Sequence, residues 1–154
     1  MAETTTVEAV PSTAAIAGHP LHPSFVPLPI GALACAFATD LAFARTNDPV
    51  WAKASRFLLG AGAATGAIAA PLGLVDFLTI EKARKNPAAW AHGIGNVGAI
   101  GLTLANLATR LRDPARGAKR GLVISAVTMG MLLVTGWLGG ELSYRDHIGM
   151  APDR

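Results

Sequence analysis

Four apolar segments joined by short, charged connections mark this chain as all-α: a polytopic membrane protein folded as an antiparallel four-helix transmembrane bundle. Two features of composition agree. Apolar residues make up 51% of the chain and charged residues 15%, against about 25% charge in a soluble domain. Glycine is abundant, 17 of 154 residues, and small residues let helix backbones approach closely in lipid.

The first span is expected over residues 25–43, with Pro27 and Pro29 in its opening turn, where the missing N–H groups have no helical partner anyway. The second covers residues 57–80 and carries Pro71 as a kink candidate. The third covers residues 88–107 and the fourth 122–142, each close to the ~20 residues a spanning helix needs. The bundle domain is residues 18–150. Residues 1–17 lack the basic start of a signal peptide and are expected as a disordered tail, and 151–154 as a second tail.

Four spans put both termini on the side of the second connection. Arg45, Lys53, Arg56, Arg110, Arg112, Arg116, Lys119 and Arg120 fall at the first and third connections; Lys82, Arg84, Lys85, Arg145 and Arg154 fall on the other side. This bias favours the first and third connections as cytoplasmic, with both termini non-cytoplasmic. Basic residues spread between apolar runs act as topology markers and exclude nucleic acid as the expected partner. Trp51, Trp90 and Trp137 near helix ends suit interfacial anchoring. The single cysteine, Cys35, excludes an internal disulfide.

All four histidines are expected at the non-cytoplasmic end. His19 and His22 precede the first helix, His92 opens the third, and His147 follows the fourth. Asp76, Asn96, Glu141, Arg145 and Asp146 fall at the same end. Asp76 and His92 lie inside apolar spans, where an ionised carboxylate costs about 2.5–3.5 kcal/mol at mid-span and less near the ends. In the third helix, His92, Asn96, Thr103, Asn106 and Arg110 stay within roughly 40° of one line, a polar stripe that must face the bundle interior. Asp40, toward the opposite end of the first helix, is placed to meet Arg110 or Asn106. Glu141 has Arg145 four residues on as a partner. In Gly18-His19-Pro20-Leu21-His22-Pro23, a polyproline-like backbone sets both imidazoles on one edge, a spacing suited to a metal.

The histidine-proline string, followed by Pro27-Leu28-Pro29-Ile30-Gly31, Asp76-Phe77, His92 with Asn96, and Gly136-Trp137-Leu138-Gly139-Gly140-Glu141-Leu142 with Tyr144-Arg145, resembles the domain of unknown function 2231 family, over about residues 18–150. Asp146 departs from the family pattern and leaves His147 displaced from it. The resemblance implies small four-helix proteins of the bacterial inner (cytoplasmic) membrane and no particular reaction. Some relatives are joined to Rieske or cytochrome domains, which implies a link to electron transfer.

Two functional readings follow. In the first, the chain is a structural or accessory subunit of a larger membrane complex or a homo-oligomer, and its polar end is a self-satisfied network. In the second, it is a redox or metal-binding module exchanging electrons with quinol or a cytochrome. A b-type haem would then be bound by His92 and either His22 or His19, with Asn96 and Arg145 in support. Alternatively a transition metal would be held by His19, His22, His92, Asp76 and Glu141. No Walker, Rossmann, zinc-finger or Gly-x-Ser-x-Gly spacing points to an enzyme, and no inverted repeat points to alternating access.

Overall fold

The computed structural model describes residues 9–150. Residues 1–8 and 151–154, which belong to the two expected tails, lie outside the described residues. A small hairpin, β1 (Ala15–Ile16) and β2 (His19–Pro20), leads into a short helix, α1 (Leu21–Phe25). Four long helices follow: α2 (Pro27–Thr46), α3 (Pro49–Thr79), α5 (Pro87–Thr109) and α6 (Pro114–Gly140). A five-residue helix, α4 (Glu81–Lys85), joins α3 to α5, and α6 runs on into a π-helical turn at Glu141–Arg145. Helix α2 packs on α3 and α5 on α6; contacts of α2 with α6 and of α3 with α5 close the ring, and α3 also touches α6 across it.

The helices outrun the apolar segments that announced them. Three of them open on the same device, an Asp or Asn followed by proline. The side chains of Asp48, Asn86 and Asp113 accept the N–H of Val50 (3.0 Å), Ala88 (2.8 Å) and Arg116 (3.1 Å). Each satisfies a donor that the first turn leaves free, and proline at the next position has none to lose. As a result α3 starts eight residues before the expected 57, and the first connection shrinks to Asn47 and Asp48. Pro71 lies inside α3, which runs through it.

Among the described residues, three helical stretches are long and apolar enough to cross a membrane: Leu21–Thr46, Pro49–Thr79 and Pro114–Arg145. The fourth expected span, α5, has the length, 23 residues, but is not among them. Its polar stripe lowers its hydropathy, although its outward face carries exposed Ile94, Val97 and Leu104.

The packing is inside-out relative to a water-soluble domain. The largest fully buried side chains are Arg110, Asn106, Thr103, Asp40 and Ser55, while Phe57, Val97, Val123, Leu133 and Trp137 are each at least 68% exposed. Alanines are the commonest buried apolar residues, Ala36, Ala52, Ala69 and Ala118 among them, and Leu33, Leu59 and Leu132 join Ala36 and Ala99 in the central cluster. Such a surface is costly in water and suited to lipid.

At one end of the ring a buried ion pair ties four helices together. Arg110 donates two parallel bonds to Asp40, Nη1 to Oδ1 at 2.6 Å and Nη2 to Oδ2 at 2.9 Å. Its Nη1 also bonds Ser55 Oγ (2.7 Å), and its Nε and Nη2 bond Asn106 Oδ1. Ser125 Oγ completes the carboxylate at 2.6 Å, and Asn106 Nδ2 donates to Ser125 Oγ (2.8 Å). The backbone of α6 comes so close here that a Cβ at Gly121 would overlap Asn106 and Arg110. Arg110 is fully buried, so it is not a topology marker, and the basic bias between the two sides falls to seven against five.

Candidate functional site

At the opposite rim, the first feature is an ordered N-terminal segment where the sequence suggested the last part of a tail. Val10 N donates to His147 O (2.8 Å), and Gly149 N donates to Val10 O (2.8 Å), so the two ends of the described chain lie side by side. Leu21 N donates to Ala14 O, and the hairpin turns at Ala17 and Gly18, both with positive φ. Two left-handed residues between short strands form the tight turn that matches strand twist. That turn separates the two N-terminal histidines. His19 is exposed on β2, whereas His22 sits on α1, half-buried against α3. The polyproline edge expected to align them is absent, because residue 21 already begins a helix.

Asp76, near the end of α3, anchors this segment. Its carboxylate accepts from Ser12 Oγ (2.9 and 2.8 Å), Thr13 N (2.8 Å), Thr13 Oγ1 (3.1 Å) and Ala14 N (3.0 Å). Those bonds fill most of the lone-pair positions a carboxylate has. Glu141, in the π-helical turn, pairs with Arg145 at 3.0 Å, and Arg145 is 79% exposed there. Asp146 accepts from Asn86 Nδ2 (2.6 Å) and, through its backbone oxygen, from Lys82 Nζ (2.6 Å). Each carboxylate at this rim therefore has a partner from the chain itself.

The imidazoles of His22 and His92 do come together. Their ring centroids are 6.3 Å apart and their planes stand at 87°. His22 Nδ1 lies 2.9 Å from the carbonyl oxygen of Ala69 on α3, and His92 Nδ1 lies 2.8 Å from that of Thr135 on α6. Both rings press on helix backbone at glycines: a Cβ at Gly73 would lie 2.7 Å from His22 Cε1, and one at Gly139 would lie 3.0 Å from His92 Cε1. Asn96, one turn below His92, donates to the His92 carbonyl (2.8 Å) and accepts from Thr135 Oγ1 (3.3 Å). Thr135 thus fixes both the imidazole and the amide of the polar stripe.

Of the expected metal set, His22 and His92 meet, while His19, Asp76 and Glu141 are held elsewhere. Among the described residues, no three His, Cys, Asp or Glu side chains gather closely enough to hold a metal ion. Of the haem-associated set, Asn96 bonds the His92 carbonyl directly within α5, and Arg145 turns to Glu141. The partners that sequence reasoning missed are Ser12, Thr13, Thr135 and the Ala69 carbonyl. A main-chain oxygen leaves no mark in a sequence. The hydroxyls of Ser12 and Thr13 do, as a polar run ahead of an intramembrane carboxylate.

An apolar exterior, a polar interior and three helices fit to span a bilayer define a helical membrane protein. The chain belongs to the family described as Predicted membrane protein (DUF2231), whose model matches residues 18–152. No curated protein and no solved structure matches it.

Proposed function

We propose that the chain is a four-helix transmembrane bundle of the bacterial inner membrane, with both termini non-cytoplasmic, that serves as a structural or accessory subunit of a membrane complex or homo-oligomer. The observation that carries this reading is internal satisfaction: Asp40, Asp76, Glu141 and Asp146 all have partners within the chain. A bundle so satisfied needs no cofactor to hold its shape, and its broad apolar exterior is available to lipid and to neighbouring helices. The pairing of Val10 with Ile148 supports an even number of spans, with α5 as the fourth.

The test is the mass of the native particle. The full chain, extracted at its natural abundance into mild detergent, should travel in a particle of fixed stoichiometry. Cross-linking in intact membranes should recover the same neighbours. A lone monomer by both measures overturns the reading.

The contact between His22 and His92 favours a second reading, a metal-binding or redox module at the non-cytoplasmic rim. An optical spectrum and metal analysis of protein purified from its own membrane test it. A stoichiometric metal or haem supports it, and a bare protein removes it.

A further inference from the structure

A carbonyl oxygen only accepts, so the proton on His22 and on His92 must sit on Nδ1, the atom bonded to Ala69 O and Thr135 O. In the neutral imidazole that assignment leaves Nε2 with its lone pair, and no hydrogen bond reaches either Nε2 among the described residues. Two imidazoles held in one tautomer by main-chain carbonyls, with the second nitrogen bare, have the outer-shell arrangement of metal-ligating histidines.

The separation then limits the geometry. With metal–nitrogen bonds of about 2.0 Å, two imidazoles on opposite sides of one metal place their centroids roughly 6.3 Å apart, whereas a tetrahedral angle would bring them to roughly 5 Å. The observed distance is 6.3 Å. A tetrahedral zinc site also wants two further ligands, and no third His, Cys, Asp or Glu joins this pair among the described residues. The expected carboxylates, Asp76 and Glu141, are held by Ser12 to Ala14 and by Arg145.

We propose that His22 and His92 bind one metal centre in trans through their Nε2 atoms. This deepens the second reading above and is independent of the scaffold reading. Two sources fit the chemistry: the iron of a haem, and a bare copper(I) ion taking two imidazoles in line. The backbone carbonyls of Ala69 and Thr135 set the ring orientation, and Gly73 and Gly139 keep the space the rings occupy.

Full-length protein, produced without haem supply, shown to lack a Soret band and stripped of metal with chelator in detergent, is titrated separately with haem b and, without oxygen, with copper(I). One equivalent of one of them should bind. A Soret band of a six-coordinate, two-imidazole haem identifies the first source; competition with a copper(I) chelator and a two-nitrogen X-ray absorption spectrum identify the second. His92→Ala and His22→Ala should each weaken binding by more than about a hundredfold, since even outer-shell changes cost 10–100-fold. Gly73→Ala keeps both ligands but displaces the His22 ring, and should weaken binding by about tenfold. Circular dichroism and elution volume establish that each variant is folded. If His22→Ala does not fold, His92→Ala and Gly73→Ala decide. No uptake of either probe by folded wild type overturns the proposal, as does uptake unchanged by these substitutions. Loss of uptake with the native particle intact would leave the scaffold reading standing. Uptake by a lone monomer would do the reverse.

Discussion

The two ends of this bundle use similar residues to opposite effect. At the Arg110 end, a guanidinium, a carboxylate, an amide and two hydroxyls match donor to acceptor across α2, α3, α5 and α6. At the His22 end, each imidazole spends one nitrogen on a backbone carbonyl and leaves the other bare. A closed network has nothing left with which to bind a ligand, so it holds the helices together. An open pair contributes less to stability and keeps a lone pair available. Residue type alone would not separate the two ends; the accounting of hydrogen bonds does.

The sharpest way to break the comparison is to open the closed end. Arg110→Ala leaves Asp40 buried with no cation, and removing one member of a buried pair costs about 3–5 kcal/mol. Arg110→Lys should rescue little of this, because an ammonium cannot make the two parallel bonds that the guanidinium makes to Asp40. Thermal unfolding in detergent, or yield of membrane-inserted protein, reads the loss. By the same measure His92→Ala should cost clearly less. Equal losses at the two ends would erase the distinction.

A smaller effect is expected at Asp76, which lies at the open end but is itself fully engaged. Asp76→Asn keeps one acceptor oxygen and loses the charge. Hydrogen bonds to charged groups are worth about 1.5–3 kcal/mol, and partial exposure here brings the loss nearer the lower figure. The loss should be local, since among the described residues the carboxylate holds residues 12–14. Hydrogen exchange at the Thr13 and Ala14 amides should therefore accelerate by about tenfold while the unfolding midpoint barely moves. A large drop in the midpoint would mean the N-terminal segment is part of the core of the fold.

Much of this division is legible in the sequence. Helical periodicity puts His92, Asn96, Thr103, Asn106 and Arg110 on one inward stripe, and the level of Asp40 matches that of Arg110; both follow from a repeat of 3.6 residues and short connections. The meeting of His22 with His92 follows from the same reasoning. Helix starts were less legible, because hydropathy marks what lipid can cover and not where a cap sits; the cues were the Asp48-Pro49, Asn86-Pro87 and Asp113-Pro114 pairs. The turn that parts His19 from His22 was not readable, since Ala17 gives no hint of a positive φ. Nor were the carbonyls of Ala69 and Thr135, which every residue possesses. Yet those two oxygens decide which nitrogen of each imidazole is left bare.

The smallest expected effect lies outside both ends, on α4. Glu81 and Lys85 pair at 2.5 Å with side chains 70% and 75% exposed. The hydrogen bond from Lys85, and then its charge, hold the Glu81 carboxyl below its ordinary value of 4.5. A carboxyl lowered by folding stabilises the folded state above that ordinary value, and the contribution fades as pH falls through the folded value. Glu81→Gln should therefore leave the unfolding midpoint unchanged within error near pH 7, because exposed pairs of this spacing are screened and contribute little. Wild type and variant should converge further as the pH drops below 4. If the variant instead unfolds distinctly earlier at neutral pH, and added salt removes the difference, the charged turn between α3 and α5 would rank with the Arg110 network as a structural anchor. Two ends would then be too few to describe how this bundle is held.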